Sequence, residues 1–296
     1  LFRTMHVLNI GGPMDGMGDF QVAPDVLCER LGIDVETIVP EDLGASVRRV
    51  TEEDIEIERQ DDLLRYESRI GAGPHRRSLR VGLGLRRYLD RGGYGAFSMN
   101  FNEFRSSDRP VDTVPFLECC KAMARGIGFA GEGDVLTAAL MGGLQRAFGS
   151  CSFAEMFCPD WKGGAVFISH MGEFNPALAA QRPLLYEKDY PFSDARNPAA
   201  LGMAPRPGPA TWVNCSPGPD DTFRLILSPV EILQDGTHPD IGKWVRGWFR
   251  PELPLVDFLE AYSRLGGTHH GVLMAGEHAE ALEAFGRWSG MEVCRI

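Results

Sequence analysis

The sequence has 296 residues, 44% hydrophobic and 24% charged, which is enough chain for two domains with real cores in an ordinary globular protein. Its formal charge of −11 argues against a sequence-independent nucleic-acid binder, because such proteins need a cationic face to displace counterions from phosphates. No apolar run approaches the roughly 20 residues that span a bilayer, and the first residues lack the basic, apolar and small-residue succession of a signal peptide, so a cytoplasmic protein with no membrane partner is expected.

In chain order, Met5 to Ile10 is a strand-like run ending in Gly11-Gly12-Pro13. Strand candidates follow at Val35 to Val39 and Ala96 to Phe101. They alternate with helix candidates at Pro24 to Leu31, Thr51 to Ser68, Leu79 to Asp90 and Pro115 to Arg125, the pattern of a parallel sheet with helices on its faces. Pro115 suits a first helical turn, where its missing N–H costs nothing. Val135 to Phe148 places Leu136, Ala139, Leu140, Leu144, Ala147 and Phe148 largely on one face, which predicts a core-packing helix just after Gly131-Glu132-Gly133.

The texture changes near Gly149 to Ser152. Short strand candidates broken by Pro and Gly then follow: Phe153 to Cys158, Ala165 to Met171, Thr211 to Cys215, Phe223 to Leu233 and Lys243 to Phe249. Alternation through Ala165 to Met171 puts Val166, Ile168 and His170 on one face, predicted to be the inward one. Pro176 to Pro209 reads as an irregular surface excursion. A helix from Leu255 to Leu265, stopped by Gly266-Gly267, leads to a strand at Val272 to Ala275, a helix at Glu277 to Trp288 and a strand at Met291 to Ile296. The fold class expected is therefore α/β: a parallel three-layer α/β domain over residues 1–150, then a mainly antiparallel β-barrel-like domain over residues 151–296.

Several familiar patterns fail on context. Gly126 to Gly131 fits GxGxxG, but a helix-like segment precedes it and no acid sits at the expected place after a second strand, so no dinucleotide site follows. No GxSxG elbow exposes a serine nucleophile. The seven cysteines include no CxxC pair and read as reduced core thiols.

Four separated segments each offer a metal ligand: Glu132 between two glycines, Glu155 within Phe153-Ala-Glu-Met-Phe157, His170 within Ser169-His-Met-Gly-Glu173, and the His269-His270 pair. Two carboxylates and two imidazoles suit a divalent ion that keeps positions open for a polyol, the layout of a Lewis-acid enzyme. Each residue also has a structural reading. Glu132 could be a solvated loop acid favoured by the following helix terminus, and His170 a satisfied core histidine. Glu155 in its apolar strand needs either solvent or a cation. On a strand His269 and His270 point apart, so only one should ligate. His6, His75, His238 and His278 read as surface or structural residues.

The wording around these residues resembles the middle and C-terminal parts of the L-arabinose/L-fucose isomerase family. Gly126 to Asp134 with Thr137 to Leu140, Ser152 to Glu155, Ser169 to Glu173 with Pro176, and Gly266 to His270 match its motifs in order. The resemblance implies a metal-dependent aldose–ketose isomerase working through an enediolate-like intermediate, with Mn²⁺ as the expected ion and Co²⁺, Fe²⁺ or Zn²⁺ also admitted. It implies Glu132 and Glu155 as an unordered acid–base pair that also binds the metal, and His170 and His270 as metal ligands. His269 and Phe101 would contact the sugar, with His269 and His270 exchangeable and a core Phe101 an equal alternative. Glu173 would support the His170 region. It further implies a small-molecule sugar partner and a homo-oligomer whose pocket is shared between subunits. Because the chain starts at Leu1 and the family's N-terminal α/β domain is absent, a fragment or a short relative is expected. A catalytically silent sugar-binding or assembly module and a metal-dependent sugar epimerase or lyase are the alternatives.

Overall fold

The structure, a computed structural model, describes residues 2–105, 107–149, 151–236 and 243–296; residue 150, where the domain division was expected, and His238 fall outside them. The first half runs β1 (His6–Ile10), a short helix α1 (Pro24–Val26) continued by a π-helical turn over Leu27–Leu31, β2 (Asp34–Ile38), α2 (Gly44–Arg48), α3 (Glu52–Arg65), β3 (Glu67–Ser68), α4 (Ala72–Gly92), β4 (Ala96–Met99), α5 (Phe116–Ala124), β5 (Gly128–Gly131) and α6 (Val135–Phe148). Strands β2, β1, β4 and β5 form a parallel sheet in that order. Ile10 pairs with Met99, and Met99 with Gly131, so the carboxyl ends of β1, β4 and β5 line up along one edge. Open α/β sheets place their ligand sites at such an edge.

Strand β5 is absent from the sequence reading, and its composition explains why. Gly128-Phe129-Ala130-Gly131 has little β-propensity. Its smallness serves helix packing instead: a Cβ on Gly128 would lie 2.2 Å from the Ala138 carbonyl oxygen and 2.5 Å from the Gly142 nitrogen of α6. Helix α6 corrects a second expectation. Every residue from Val135 to Leu144 is buried, so this part of the helix is enclosed on all sides rather than along one face, whereas Ala147, expected on the core face, is exposed. It packs on β4 and β5 and also on strands of the second half. Pro115 caps α5 rather than entering its first turn.

The second half runs β6 (Cys151–Asp160), β7 (Ala165–Ser169), β8 (Leu184–Glu187), β9 (Ala199–Gly202), β10 (Gly208–Pro217), β11 (Phe223–Ile232), β12 (Arg246–Pro251), α7 (Leu255–Arg264), β13 (His270–Ala275), α8 (Ala279–Trp288) and β14 (Glu292–Arg295). β10, β13, β6, β7, β12 and β11 are neighbours in that order, and β11 pairs back with β10 to close a six-stranded antiparallel barrel. β14 adds to it, parallel to β11 over Arg224–Leu227, while β12 takes Val230–Ile232. The expected α/β domain followed by a β-barrel-like domain is thus the observed architecture.

The Pro176 to Pro209 stretch is not an irregular excursion. β8 pairs antiparallel with β9 and parallel with β3, and Leu185, Ala199, Leu201 and Met203 are buried. These strands are only four residues long, so the Pro and Asn between them dominate the composition. One apolar cluster joins Val7, Phe97, Phe129 and Leu140 to Phe153, Val213 and Met274, so the core is continuous from the parallel sheet into the barrel. Cys119, Cys120, Cys151 and Cys215 are buried free thiols, but Cys28 and Cys158 are exposed rather than in the core.

Candidate metal and acid–base site

Glu132 occupies the turn between β5 and α6 with a φ of +63°, a left-handed conformation that few non-glycine residues adopt. Two close approaches fix this turn. A Cβ on Gly133 would lie 2.5 Å from Gly12 O and from Pro13 Cα, so the loop after β1 seats directly on it, and Met14 N donates to Glu132 O at 3.0 Å. A Cβ on Gly131 would lie 2.5 Å from His170 Cε1, so the imidazole rests against bare glycine backbone.

His170 and His270 are held alike. His170 Nδ1 lies 2.8 Å from Glu173 Oε2, and His270 Nδ1 lies 3.1 Å from Asp134 Oδ2. Both rings are buried, and both Nε2 atoms lack a hydrogen-bond partner. They face one carboxylate: His170 Nε2 is 3.9 Å from Glu132 Oε1 and His270 Nε2 is 3.5 Å from Glu132 Oε2. One ligand atom from each of Glu132, His170 and His270 falls within 4.8 Å of the others. In the neutral ring, with Nδ1 donating to a carboxylate, each Nε2 presents its lone pair to the shared space, the arrangement by which outer carboxylates orient metal-binding histidines. Two buried, unpartnered nitrogens beside a carboxylate fit a divalent cation.

The other expected site residues stand at different distances from this group. Glu155 lies opposite His270 across β6–β13 and opposite Ser169 across β6–β7. Its carboxylate is outside the 4.8 Å group but lines the same cavity of about 590 Å³ as Glu132 and His170. Phe101 is buried, its ring centroid 5.9 Å from that of Phe192; Phe192 lines the cavity, and Phe101 packs behind it. His170 does not owe its position to strand alternation, because β7 ends at Ser169 and His170 begins the turn beyond it. Nor do His269 and His270 point apart. β13 begins at His270, one residue after His269, whose carbonyl accepts from Met156 N of β6 at 2.8 Å, and the two ring centroids are 4.2 Å apart. His269 Nε2 reaches Glu132 Oε2 at 3.4 Å. His6, His75 and His278 lie elsewhere, beside Asp34, Asp62 and the Ala275 carbonyl respectively.

These surroundings separate the proton affinities of the acids. Burial opposes the ionised form of Glu132, but the hydrogen bond with His269 and the charge on His170 outweigh it and hold the carboxyl below its usual range. Burial pushes Glu155 up, with the positive histidines only partly offsetting it. Burial pulls His170 down, yet the Glu173 carboxylate prevails and its pKa rises to about 8. His270 is held well below the usual imidazole value, first by burial and then by charge on His170 and His269. Burial also pushes Asp134 up to about 7, against the Thr137 N–H that it caps.

Three contributors were missed in the sequence. Asp134, in sequence the end of a glycine-flanked motif, both caps α6 and anchors His270. Asp19 accepts hydrogen bonds from His269, and Phe20 stacks on His270 with ring centroids 4.9 Å apart. Their one local signal is an acid and an aromatic in a glycine-rich loop at the carboxyl end of a parallel strand.

Residues 26–147 match the family described as the L-arabinose isomerase central domain, and residues 150–292 match its C-terminal domain. The L-arabinose isomerase of Nocardioides sp. is 30% identical over 280 residues, covering 90% of this chain and 55% of that protein. That of Mycolicibacterium smegmatis is 28% identical over 312 residues, 99% of this chain and 60% of its own. That of Aeromonas salmonicida is 31% identical over 232 residues, 74% of this chain and 45% of its own. The chain thus spans little more than half the length of the first two relatives. These matches bear out the L-arabinose half of the resemblance. Through a central and a C-terminal domain matched in order, the chain belongs to the L-arabinose isomerase family.

Proposed function

We propose that this chain carries the metal-holding and acid–base residues of an aldose–ketose isomerase that moves a proton between C1 and C2 of a sugar. The observation that carries the reading is the pair of buried imidazoles, each tied at Nδ1 to a carboxylate, whose bare Nε2 atoms converge on Glu132. Glu132, His170 and His270 would hold a divalent ion, Mn²⁺ being the one expected, and Glu155 borders the same space. Such an ion, when bound, supplies Lewis-acid stabilisation of the negative charge that develops on the sugar oxygens.

The protein groups then divide the proton transfers. Glu132 is kept ionised by its histidines, whereas burial raises the proton affinity of Glu155. Two carboxyls whose environments push them apart can serve as acceptor and donor in one cycle. His269 hydrogen-bonds Glu132 from the open side and can reach a substrate hydroxyl there.

The relatives' name makes L-arabinose the first sugar to assay. With Mn²⁺ present in deuterium oxide, NMR should show a ketose product and deuterium at the exchanging carbon. Glu132→Gln and Glu155→Gln should each lower turnover about 10²-fold or more. Near-normal turnover in both variants would remove these roles, and an epimer or a dehydrated product would replace the reaction class.

A further inference from the structure

The cavity containing Glu132, Glu155 and His170 has another part that proton transfer leaves unused. Lys188, Asp189 and Phe192 enter it from the segment after β8, and Lys243 and Trp244 from the segment before β12. The Lys188 stem passes the turn that carries His170 and Glu173; a Cβ on Gly172 would lie 4.0 Å from Lys188 Cδ. Its Nζ sits 5.5 Å from the centroid of the Trp244 ring.

Lys188 is half-buried, and among the described residues no carboxylate oxygen approaches its Nζ within 4.0 Å. Asp189, beside it in the chain, is exposed and accepts from Asn197 Nδ2 at 3.4 Å. The aromatic face attracts the ammonium but is a weak acceptor, which leaves N–H donors for water or a ligand. Holding an unpaired cation partly out of water is costly, and such a group in a cleft marks recognition of an opposite charge. Lys243 brings a second positive charge to the same lining, also without an ion pair among the described residues.

We propose that Lys188, set over Trp244 and supported by Lys243, binds an anionic group at the end of the sugar remote from C1 and C2, so that the substrate is an acidic aldose such as a uronate or a sugar phosphate. This rests on the isomerase reading of the cavity and narrows its substrate class. Carboxylate and phosphate present the same chemistry to an ammonium, charge-assisted hydrogen bonding to an oxyanion.

Calorimetric titration of the Mn²⁺-loaded chain with D-galactose, D-galacturonate and D-galactose 6-phosphate, at low and at high ionic strength, tests it. At least one anionic sugar should bind about tenfold or more tightly than D-galactose, and salt should shrink that preference. Which anion leads then tells carboxylate from phosphate. Lys188→Met keeps the apolar stem and should bring the ratio of affinities close to one, whereas Lys188→Arg should retain most of it. Equal binding of all three sugars by the native chain, binding of none, or a preference that survives in K188M would overturn the proposal. Mn²⁺ titration without sugar, in the native chain and in His270→Ala, reads the metal site separately, so failure there is distinguishable from failure of anion recognition.

Discussion

Asp19 Oδ2 accepts two hydrogen bonds from His269, one from its backbone N–H at 3.0 Å and one from Nδ1 at 2.8 Å, across a separation of 250 residues. The pair ties the loop after β1 to the start of β13 and aims His269 Nε2 at Glu132. Burial raises the Asp19 pKa, but His269 prevails and brings it to about 2. Burial lowers that of His269, but Asp19 and Glu132 prevail and lift it to about 10. The Asp19 contribution to stability is present above the usual carboxyl value of 3.8 and lost as pH falls through about 2. The His269 contribution is full below 6.5 and lost as pH rises through about 10. In metal-free protein, the stability difference between native chain and Asp19→Asn should therefore be largest between about pH 4 and 6.5 and shrink towards pH 10. Urea melts at four or five pH values check this; a difference that grows above pH 7 would contradict it.

Asp134 has two duties, accepting the Thr137 N–H at 2.8 Å as the cap of α6 and bonding His270 Nδ1. Asn also caps helices well, so Asp134→Asn should fold with little loss yet bind Mn²⁺ about tenfold or more weakly, because the histidine loses its anionic anchor. Asp134→Ala should show the same affinity loss plus about 1 kcal/mol of destabilisation. Calorimetric titration paired with thermal melts separates the two duties.

Two glycines in β5 should respond differently to the same substitution. A Cβ on Gly128 meets backbone atoms of α6, which cannot move alone, so Gly128→Ala should destabilise the fold by about 3 kcal/mol or more. The three atoms nearest a Cβ on Gly131 all belong to the His170 ring. Gly131→Ala should leave a cooperative melt near the native midpoint but displace that ring and weaken Mn²⁺ binding roughly tenfold.

A buried ionic network joins α3, α4 and α5. Asp62 bonds His75 Nε2 at 2.8 Å and pairs with Lys121; Glu58 bonds Lys121 at 2.8 Å and Arg86 at 2.7 Å; Glu118 pairs with Arg86 at 2.9 Å. Asp62 is fully buried, and Asp62→Ala strands both partners, so a loss of about 3 to 5 kcal/mol is expected in denaturant melts. Among the described residues no hydrogen bond or ion pair links this network to Glu132, His170 or His270, so Mn²⁺ affinity at low temperature should be unchanged.

Sequence periodicity reached the helices and the barrel strands because these carry long apolar or alternating runs, as in α6 and β11. It missed β5, whose two glycines matter through the space they leave for α6 and His170. It misread the segment around β8 and β9, where pairing with β3 is a long-range event without a local signature. At the site, Glu132, Glu155 and the three histidines were legible from their motifs. Asp19 and Lys188 were not, because their placement depends on loops that meet only after the sheet and barrel have assembled. The expected opposition of His269 and His270 failed for a local reason: β13 begins at His270, and His269 stands just before it.

The division of one edge of β11 between two partners has a consequence for behaviour in concentrated solution. β12 covers only Val230–Ile232, and without β14 the stretch Arg224–Leu227 would offer unpaired backbone groups on an apolar strand. Exposed edges of this kind recruit strands from other molecules. The short C-terminal strand therefore acts as an internal plug against self-association, and its fraying would turn a closed barrel into a template for aggregates.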